Sequence, residues 1–289
     1  MLVQVSLILP YLLRLSNGAY PDGSQGNSIS LREQYMETNG VTTKRTAVSS
    51  EFEADSSALL EKQLALKNRE ADALLRRANR LLRWYRAETR QFAVVEITKV
   101  QASPFVFTEK ITKSVWGNAL SFEANPPTMT PSRSGDSLAK AVRSGMASSS
   151  DPQVADLFLL DAEQALRDGR FRETVLFCWS TIDATFNTRY DLLVDQMLVG
   201  EWTDGRSSLK DNRFGIKNKM SAVLFLMTGR SLFREPDNFW ENLAKSYTKR
   251  NSIIHRGETA QEPDAELALL VARAVVKFMA SLKPKKPKS

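Results

Sequence analysis

The stretch PDNFWENLAKSYTKRNSIIHRG, residues 236–257, predicts an amphipathic helix that ends at a glycine. At about 100° per residue, one stripe of this helix holds its apolar residues Trp240, Leu243, Tyr247 and Ile254. The two edges of the stripe hold the polar residues Arg250, Asn251 and His255. Burying a guanidinium, an amide and an imidazole without partners would cost several kcal/mol, on the order of 2 or more for each group. We therefore expect a functional site, a subunit interface or a satisfied polar network here, and these residue types favour a site.

The chain around this stretch also predicts helices. Apolar periodicity and helix-ending signals give the ranges 154–167, 171–199, 216–228, 236–256 and 264–281. Helices of this length joined by short loops favour an antiparallel bundle. The single cysteine, Cys178, lies on an apolar stripe and is expected to be a buried structural thiol. One cysteine and one histidine cannot form a disulfide or a zinc site, and we expect no metal and no cofactor.

The N-terminal part mixes strand and helix signals, which predicts an α+β domain. Residues 2–9 alternate apolar and polar side chains, so they favour a strand over a signal peptide. Residues 17–50 are rich in Gly, Ser, Asn and Thr, and we expect loops with irregular strands there. The strongest helix is predicted over 58–85, with further strands over 92–100, 104–108 and 119–123.

A change in composition divides the chain. Prolines and the Ser148–Ser150 run mark residues 126–153 as a linker, within which 137–146 could hold a short helix. The predicted organisation is an α+β domain over 1–125, this linker, a helical bundle over 154–283 and a basic, disordered tail over 284–289.

The overall composition is that of an ordinary globular protein, with 42% hydrophobic and 25% charged residues in a chain of 289. No apolar run approaches the roughly 20 residues of a membrane span, so we expect no membrane association. A single cysteine suits a reducing compartment and favours a cytoplasmic location. The net charge of +7 lies in the N-terminal part and in Lys285, Lys286 and Lys288 of the tail, and the tail could attract phosphates or serve only solubility.

A stripe of arginines lies on the predicted long helix, opposite its apolar face. Its members are Arg69, Arg76, Arg80, Arg83 and Arg90. Arginines spaced by three, four or seven residues project the same way and could follow an RNA phosphate backbone. A solvated helix face is the alternative interpretation.

Three features of the C-terminal domain occur together: a helix break at Leu166–Phe171, a long helix carrying Trp179–Asp183, and the Arg250-Asn251-x-x-x-His255 motif before Gly257. In this combination the domain resembles the HEPN superfamily. The resemblance covers about residues 154–283. The resemblance implies an all-α bundle, and many members of the superfamily are metal-independent ribonucleases with an Arg-x(4–6)-His motif. It further implies a homodimer that brings two such motifs together in one cleft.

The motif residues suit cleavage of RNA by its ribose 2′-OH. His255 is the candidate general acid or base, since imidazole exchanges a proton near neutral pH. Arg250 would hold the scissile phosphate. Asn251 shares a face with His255 and could orient the imidazole or the phosphate. Asp183, on an earlier helix, could reach across the bundle to Arg250 or His255, or could equally be a surface carboxylate.

Other interpretations stay open. The domain could bind RNA or a nucleotide without cutting it, or serve only for dimerisation, with the three polar residues as a structural network. It could also be an unrelated helical adaptor. If the protein is a ribonuclease, restraint by a regulatory protein or nucleotide is expected, and the resemblance implies a prokaryotic defence or toxin-like role.

Overall fold

The chain folds into two compact units, Met1–Pro152 and Gln153–Ser289. This computed structural model describes residues 1–22, 28–38, 41–55, 57, 60–91, 94, 96–98, 105–110, 136–148, 150–197, 210 and 216–283. The first unit contains an antiparallel sheet and helices, and the second is mostly helical. The predicted α+β class of the first part and the helical class of the second are confirmed at this level.

The sheet of the first unit has the strand order β2-β3-β4-β1-β5, with every neighbouring pair antiparallel. Its strands are β1 (Leu2–Ile8), β2 (Gly18–Pro21), β3 (Ser28–Thr38), β4 (Val41–Glu53) and β5 (Val106–Glu109). Side chains along β1 alternate, with Val3, Val5 and Leu7 buried and the residues between them partly exposed. The predicted N-terminal strand is confirmed, and its buried face sets the register of the sheet.

Of four other predictions for the first unit, two need correction, one is confirmed and one lies outside the described residues. Residues 17–50, expected to be mainly loops, contain β2, β3 and most of β4, because pairing along a long hairpin from Ser30↔Ser49 to Thr38↔Val41 overrides weak local propensity. The predicted strand over 92–100 is absent at its described residues, because the backbone of Ile97 bonds a side chain instead of another strand. Asn79 Nδ2 donates to the Ile97 carbonyl at 2.9 Å, and the Ile97 amide donates to Asn79 Oδ1 at 2.8 Å. The strand expected over 104–108 corresponds to β5, and the one expected over 119–123 lies outside the described residues.

Two helices pack with the sheet in the first core. Helix α1 (Leu60–Thr89) buries Ala71, Leu74, Ala78, Leu81, Leu82 and Tyr85, whereas Leu64, expected on the same face, is half exposed. Helix α2 (Asp136–Ala147) buries Leu138, Ala139, Val142 and Met146. Residues 136–147, expected within the linker, therefore belong to the first unit, because one side of α2 completes its core. The rest of that linker up to residue 135, and the tail 284–289, lie outside the described residues.

The second unit consists of α3 (Val154–Arg167), α4 (Phe171–Met197), α5 (residues 216–228, with a π-helical turn at Lys219–Val223), a 3-10 turn at Leu232–Arg234, α6 (Phe239–Arg256) and α7 (Glu262–Ser281). Helix α4 packs against α3, α6 and α7 around a second core. The long side chains Phe186, Tyr190 and Trp179 of α4 fill its centre. Within the described chain, no helix is both long and apolar enough to cross a membrane.

Candidate functional site

The C-terminal end of α6 fixes the positions of the motif residues. Gly257 adopts the left-handed conformation, with φ of 68°, which glycine takes without strain. Its amide donates to the Ile253 carbonyl at 3.1 Å, and the Glu258 amide donates to the Ser252 carbonyl at 3.4 Å. This ends the helix, so His255 lies in its last turn.

Arg250 lies on the core side of α6. The buried residues of this helix are Phe239, Leu243, Ser246 and Ile253, and Arg250 falls one turn from both Ser246 and Ile253. Its side chain is half-buried, and its Nη1 donates a hydrogen bond to Oδ1 of the half-buried Asn251 at 3.0 Å. The guanidinium is therefore held by a neutral acceptor on its own helix. Its other N–H groups donate no hydrogen bond to a described residue.

Asp183 of α4 lies close enough to Arg250 of α6 for their charges to interact. Burial raises the pKa of the Asp183 carboxyl, and the positive charge of Arg250 opposes this rise. Within the described chain, no hydrogen bond joins the two side chains. The structure thus brings Asp183, Arg250 and Asn251 into one polar group, with an electrostatic rather than a bonded link between the helices.

His255 lies apart from this group. Five residues turn the helix by about 140°, so His255 points away from Arg250, and its side chain is exposed. The imidazole has no hydrogen bond or ion pair to any described residue. Ile254 is also 46% exposed. The expectation that all three polar residues face a buried surface is therefore wrong for His255, because the core side of α6 is centred between Ser246 and Arg250.

A buried hydrogen bond joins α4 to α6 beside this group, and it was not foreseen from the sequence. Trp179 Nε1 donates to Ser246 Oγ at 2.9 Å, and both residues are buried. The Trp179 ring also contacts Tyr247 edge-to-face at 5.2 Å between centroids. A small hydroxyl residue spaced three after Leu243 and four before Arg250 is the signal that could have indicated Ser246.

The arginine stripe of α1 is not a uniform solvent-facing surface. Arg80 has a side chain only 13% exposed, and it donates to the carboxylates of Asp22 and Asp151 at 3.0 and 3.1 Å. It also donates to three carbonyl groups, those of Met146, Ser148 and Ser150. These five acceptors match the five donors of a guanidinium. Arg80 therefore holds the first unit together and has no donor left for RNA.

The other arginines divide into two groups. Arg83 is paired with Glu96 at 2.9 Å and with Asp151 at 3.0 Å. Arg69, Arg76 and Arg90 are exposed, although Arg69 pairs with Glu70 at 3.0 Å. Helix α1 ends at Thr89, and Arg90 follows it with φ of 55°. The predicted RNA contact thus loses Arg80 and is weakened at Arg83, and it stays a prediction for Arg69, Arg76 and Arg90.

The remaining chemistry of the described residues is limited. No group of three or more His, Cys, Asp or Glu side chains in the described chain is arranged to hold a metal ion. Burial raises the pKa of the Cys178 thiol to about 12, so this cysteine is inert near neutral pH.

The chain has no significant match among protein-family models, curated proteins or solved structures. Its function therefore has to be inferred from the residues themselves.

Proposed function

We propose that the second unit is a metal-independent endoribonuclease of the HEPN type. The observation that carries this proposal is the end of α6, where a half-buried Arg250 bonded to Asn251 precedes an exposed His255 by five residues. A fixed guanidinium next to the protein surface suits a phosphate, and an exposed imidazole suits proton transfer.

In the proposed reaction the ribose 2′-OH attacks the adjacent phosphorus atom. An imidazole removes the 2′-OH proton, and the P–O bond to the next nucleotide breaks, which gives a 2′,3′-cyclic phosphate. The departing 5′-oxygen takes a proton from a second group. Arg250 stabilises the negative charge that grows on the phosphate oxygens. Asn251 and Asp183 act as positioning residues that hold the guanidinium.

Two proton-transfer steps need two groups, but each chain has one histidine. A second copy of the chain would supply the other imidazole, so we propose a homodimer with the ends of two α6 helices at the cleft. The exposed Ile254, between Arg250 and His255, supports a contact there. Leu243, expected on the same surface, belongs to the chain's own core and is not available for it.

The alternative is a HEPN-type module that binds RNA or a nucleotide, or only dimerises. The Arg250–Asn251 bond and the nearby Asp183 would then form a structural network. The exposure of His255 favours catalysis over this alternative, because a network residue would be bonded to the others. A cytoplasmic ribonuclease also needs restraint, so a regulatory protein or nucleotide and a defence or toxin-like role form part of the proposal.

Cleavage of single-stranded RNA in excess EDTA tests the function. His255→Ala and Arg250→Lys should each reduce the rate by on the order of 100-fold or more, because proton transfer and bidentate phosphate contact are lost. Lys245→Ala, at an exposed position on the other side of α6, is the matched control. Thermal midpoints should stay close to that of the wild type. Full activity in His255→Ala would end the proposal.

A further inference from the structure

An aromatic edge leads along α6 toward Arg250. It consists of Phe233, Trp240 and Tyr247. Trp240 and Tyr247 are seven residues apart, so they lie two turns apart on the same side of α6. Phe233, from the 3-10 turn, contacts Trp240 edge-to-face with 5.5 Å between ring centroids. The rings thus form a row that ends one turn before Arg250.

The chain's own core uses these rings only in part. The Phe233 side chain is 60% exposed, and Trp240 and Tyr247 are half-buried. A group of neighbouring aromatic residues left open to solvent marks a contact surface more often than a scattered single one. The question is which kind of partner would cover it.

Positive charges flank the aromatic edge. The Lys217 ammonium lies 4.9 Å from the centroid of the Tyr247 ring, and the Arg234 guanidinium, next in sequence to Phe233, lies over Phe225 at 4.2 Å. Within the described chain, neither cation has a carboxylate at ion-pair distance. Glu235, the acid next in sequence to Arg234, is held by Arg230 at 2.9 Å, while Asp237 and Glu241 are exposed acids near the edge in sequence. Aromatic faces bordered by cations suit a partner that carries flat rings and negative charge together.

Single-stranded nucleic acid has both properties. Its bases stack on aromatic side chains and its phosphates are attracted to lysine and arginine. In a duplex the bases are already stacked inside the helix, so only an unpaired strand presents them. The edge also ends at Arg250, which places such a strand beside the group proposed to hold the scissile phosphate.

We propose that the aromatic edge binds unpaired bases of RNA and delivers the strand to Arg250 and His255. This inference rests on the proposed function and gives its substrate class, single-stranded rather than duplex RNA. Phe233 and Trp240 stack bases, while Lys217 and Arg234 attract the phosphates between them. Trp240 and Ile254 are 14 residues, or about 21 Å, apart on α6, so the base-binding rings and the proposed dimer contact lie at opposite ends of the helix.

The experiment measures binding of an oligoadenylate of about 12 nucleotides, with 2′-O-methyl groups that prevent cleavage, to the full-length protein. Phe233→Leu and Trp240→Leu keep apolar side chains but remove the stacking faces. Each should raise the Kd by roughly 5-fold to 100-fold without changing its salt dependence, because no charge is lost. Lys217→Gln should instead make the salt dependence shallower. Leu270→Ala, at an exposed apolar position on α7, is the control and should bind as the wild type does.

Two outcomes would overturn the inference. Unchanged affinity in Phe233→Leu is the first, and this exposed residue can be replaced without disturbing the core. The second is a dimer that dissociates in Phe233→Leu while each chain keeps its affinity for RNA, which would make the edge a protein contact. Cleavage is measured separately from binding. Binding that depends on Phe233 without any cleavage would contradict the proposed function alone. Cleavage that depends on His255 with binding that does not depend on Phe233 would contradict only the role of the aromatic edge.

Discussion

Arg250 and His255 lie five residues apart on α6 but have different surroundings. Arg250 is half-buried beside Ser246 and Ile253, while His255 is open to solvent. A half-buried guanidinium keeps one orientation, because Asn251 and the Asp183 charge constrain it. An exposed imidazole can exchange protons with solvent or with a bound ligand. Arg250 therefore suits the role of a fixed positive charge, and His255 suits the role of a proton donor or acceptor.

Asp183 should make the stability of the protein depend on pH. Burial raises its pKa above 3.8, so the folded protein binds this proton more tightly than the unfolded chain does. That contribution stabilises the fold below the unfolded pKa and is lost as the pH rises through the folded one. From about pH 4 upward, the free energy of unfolding of the wild type should therefore fall relative to that of Asp183→Asn.

Urea unfolding of the two proteins across about pH 4 to 6 measures this difference. Glu266→Gln, which replaces an exposed carboxylate on α7, serves as the control. Parallel stability profiles for the wild type and Asp183→Asn would contradict the assigned burial of this carboxyl.

At the scale of elements, the sequence predicted those parts whose pattern is local. Alternation in residues 2–9 predicted β1, and the 3.6-residue period predicted α1 to within a few residues of its start. The hairpin of β3 and β4 was not predicted as long strands, because its stability comes from pairing between residues such as Ser30 and Ser49. Such partners are not visible in the composition of either strand.

The same limit applies to the candidate site. Helical spacing predicted that Asn251 shares a face with His255, whereas in the structure Asn251 accepts a hydrogen bond from Arg250. The sequence offered a contact of Asp183 with Arg250 or His255, and the structure shows an electrostatic effect of Arg250 on Asp183. The sequence did not show that the core side of α6 passes through Ser246, because that depends on Trp179 of another helix. Nor could it show that Asp22 and Asp151 fold back onto Arg80, which lies far from both in sequence.

The contacts of Arg80 predict that α1 depends on it for stability. Arg80→Gln removes two ion pairs and leaves three carbonyl groups without their donor, so the free energy of unfolding should fall by about 2–4 kcal/mol. Arg76→Gln, at an exposed position one turn earlier, should change it by no more than about 0.5 kcal/mol. Hydrogen exchange of the α1 amides measures this loss of stability in each of the two variants. Equal protection in the two variants would contradict the role of Arg80.

At the scale of the whole molecule, the proposed homodimer predicts that one inactive chain disables its partner. The proposed cleft needs the imidazoles of both chains, so a mixed dimer of wild type and His255→Ala has no complete cleft. In an equal mixture whose subunits exchange at random, activity per wild-type chain should therefore fall to about half. Undiminished activity per wild-type chain would show that each chain supplies both proton-transfer groups itself.

Sedimentation checks the assembly itself. Wild type should sediment as a dimer at micromolar concentration, and its activity per chain should fall on dilution. Ile254→Asp, which places a charge on the exposed apolar position between the motif residues, should shift the protein toward monomer. A wild-type monomer with undiminished activity would exclude the shared cleft.

The fivefold contact of Arg80 also sets how the first unit can change during evolution. A mutation of Asp22 or Asp151 alone removes one of the five acceptors of Arg80, so we expect both positions to vary little. The backbone acceptors at Met146, Ser148 and Ser150 impose no restriction on residue type, but an insertion or deletion between them would displace their carbonyl groups. The spacing from residue 146 to 151 should accordingly stay constant.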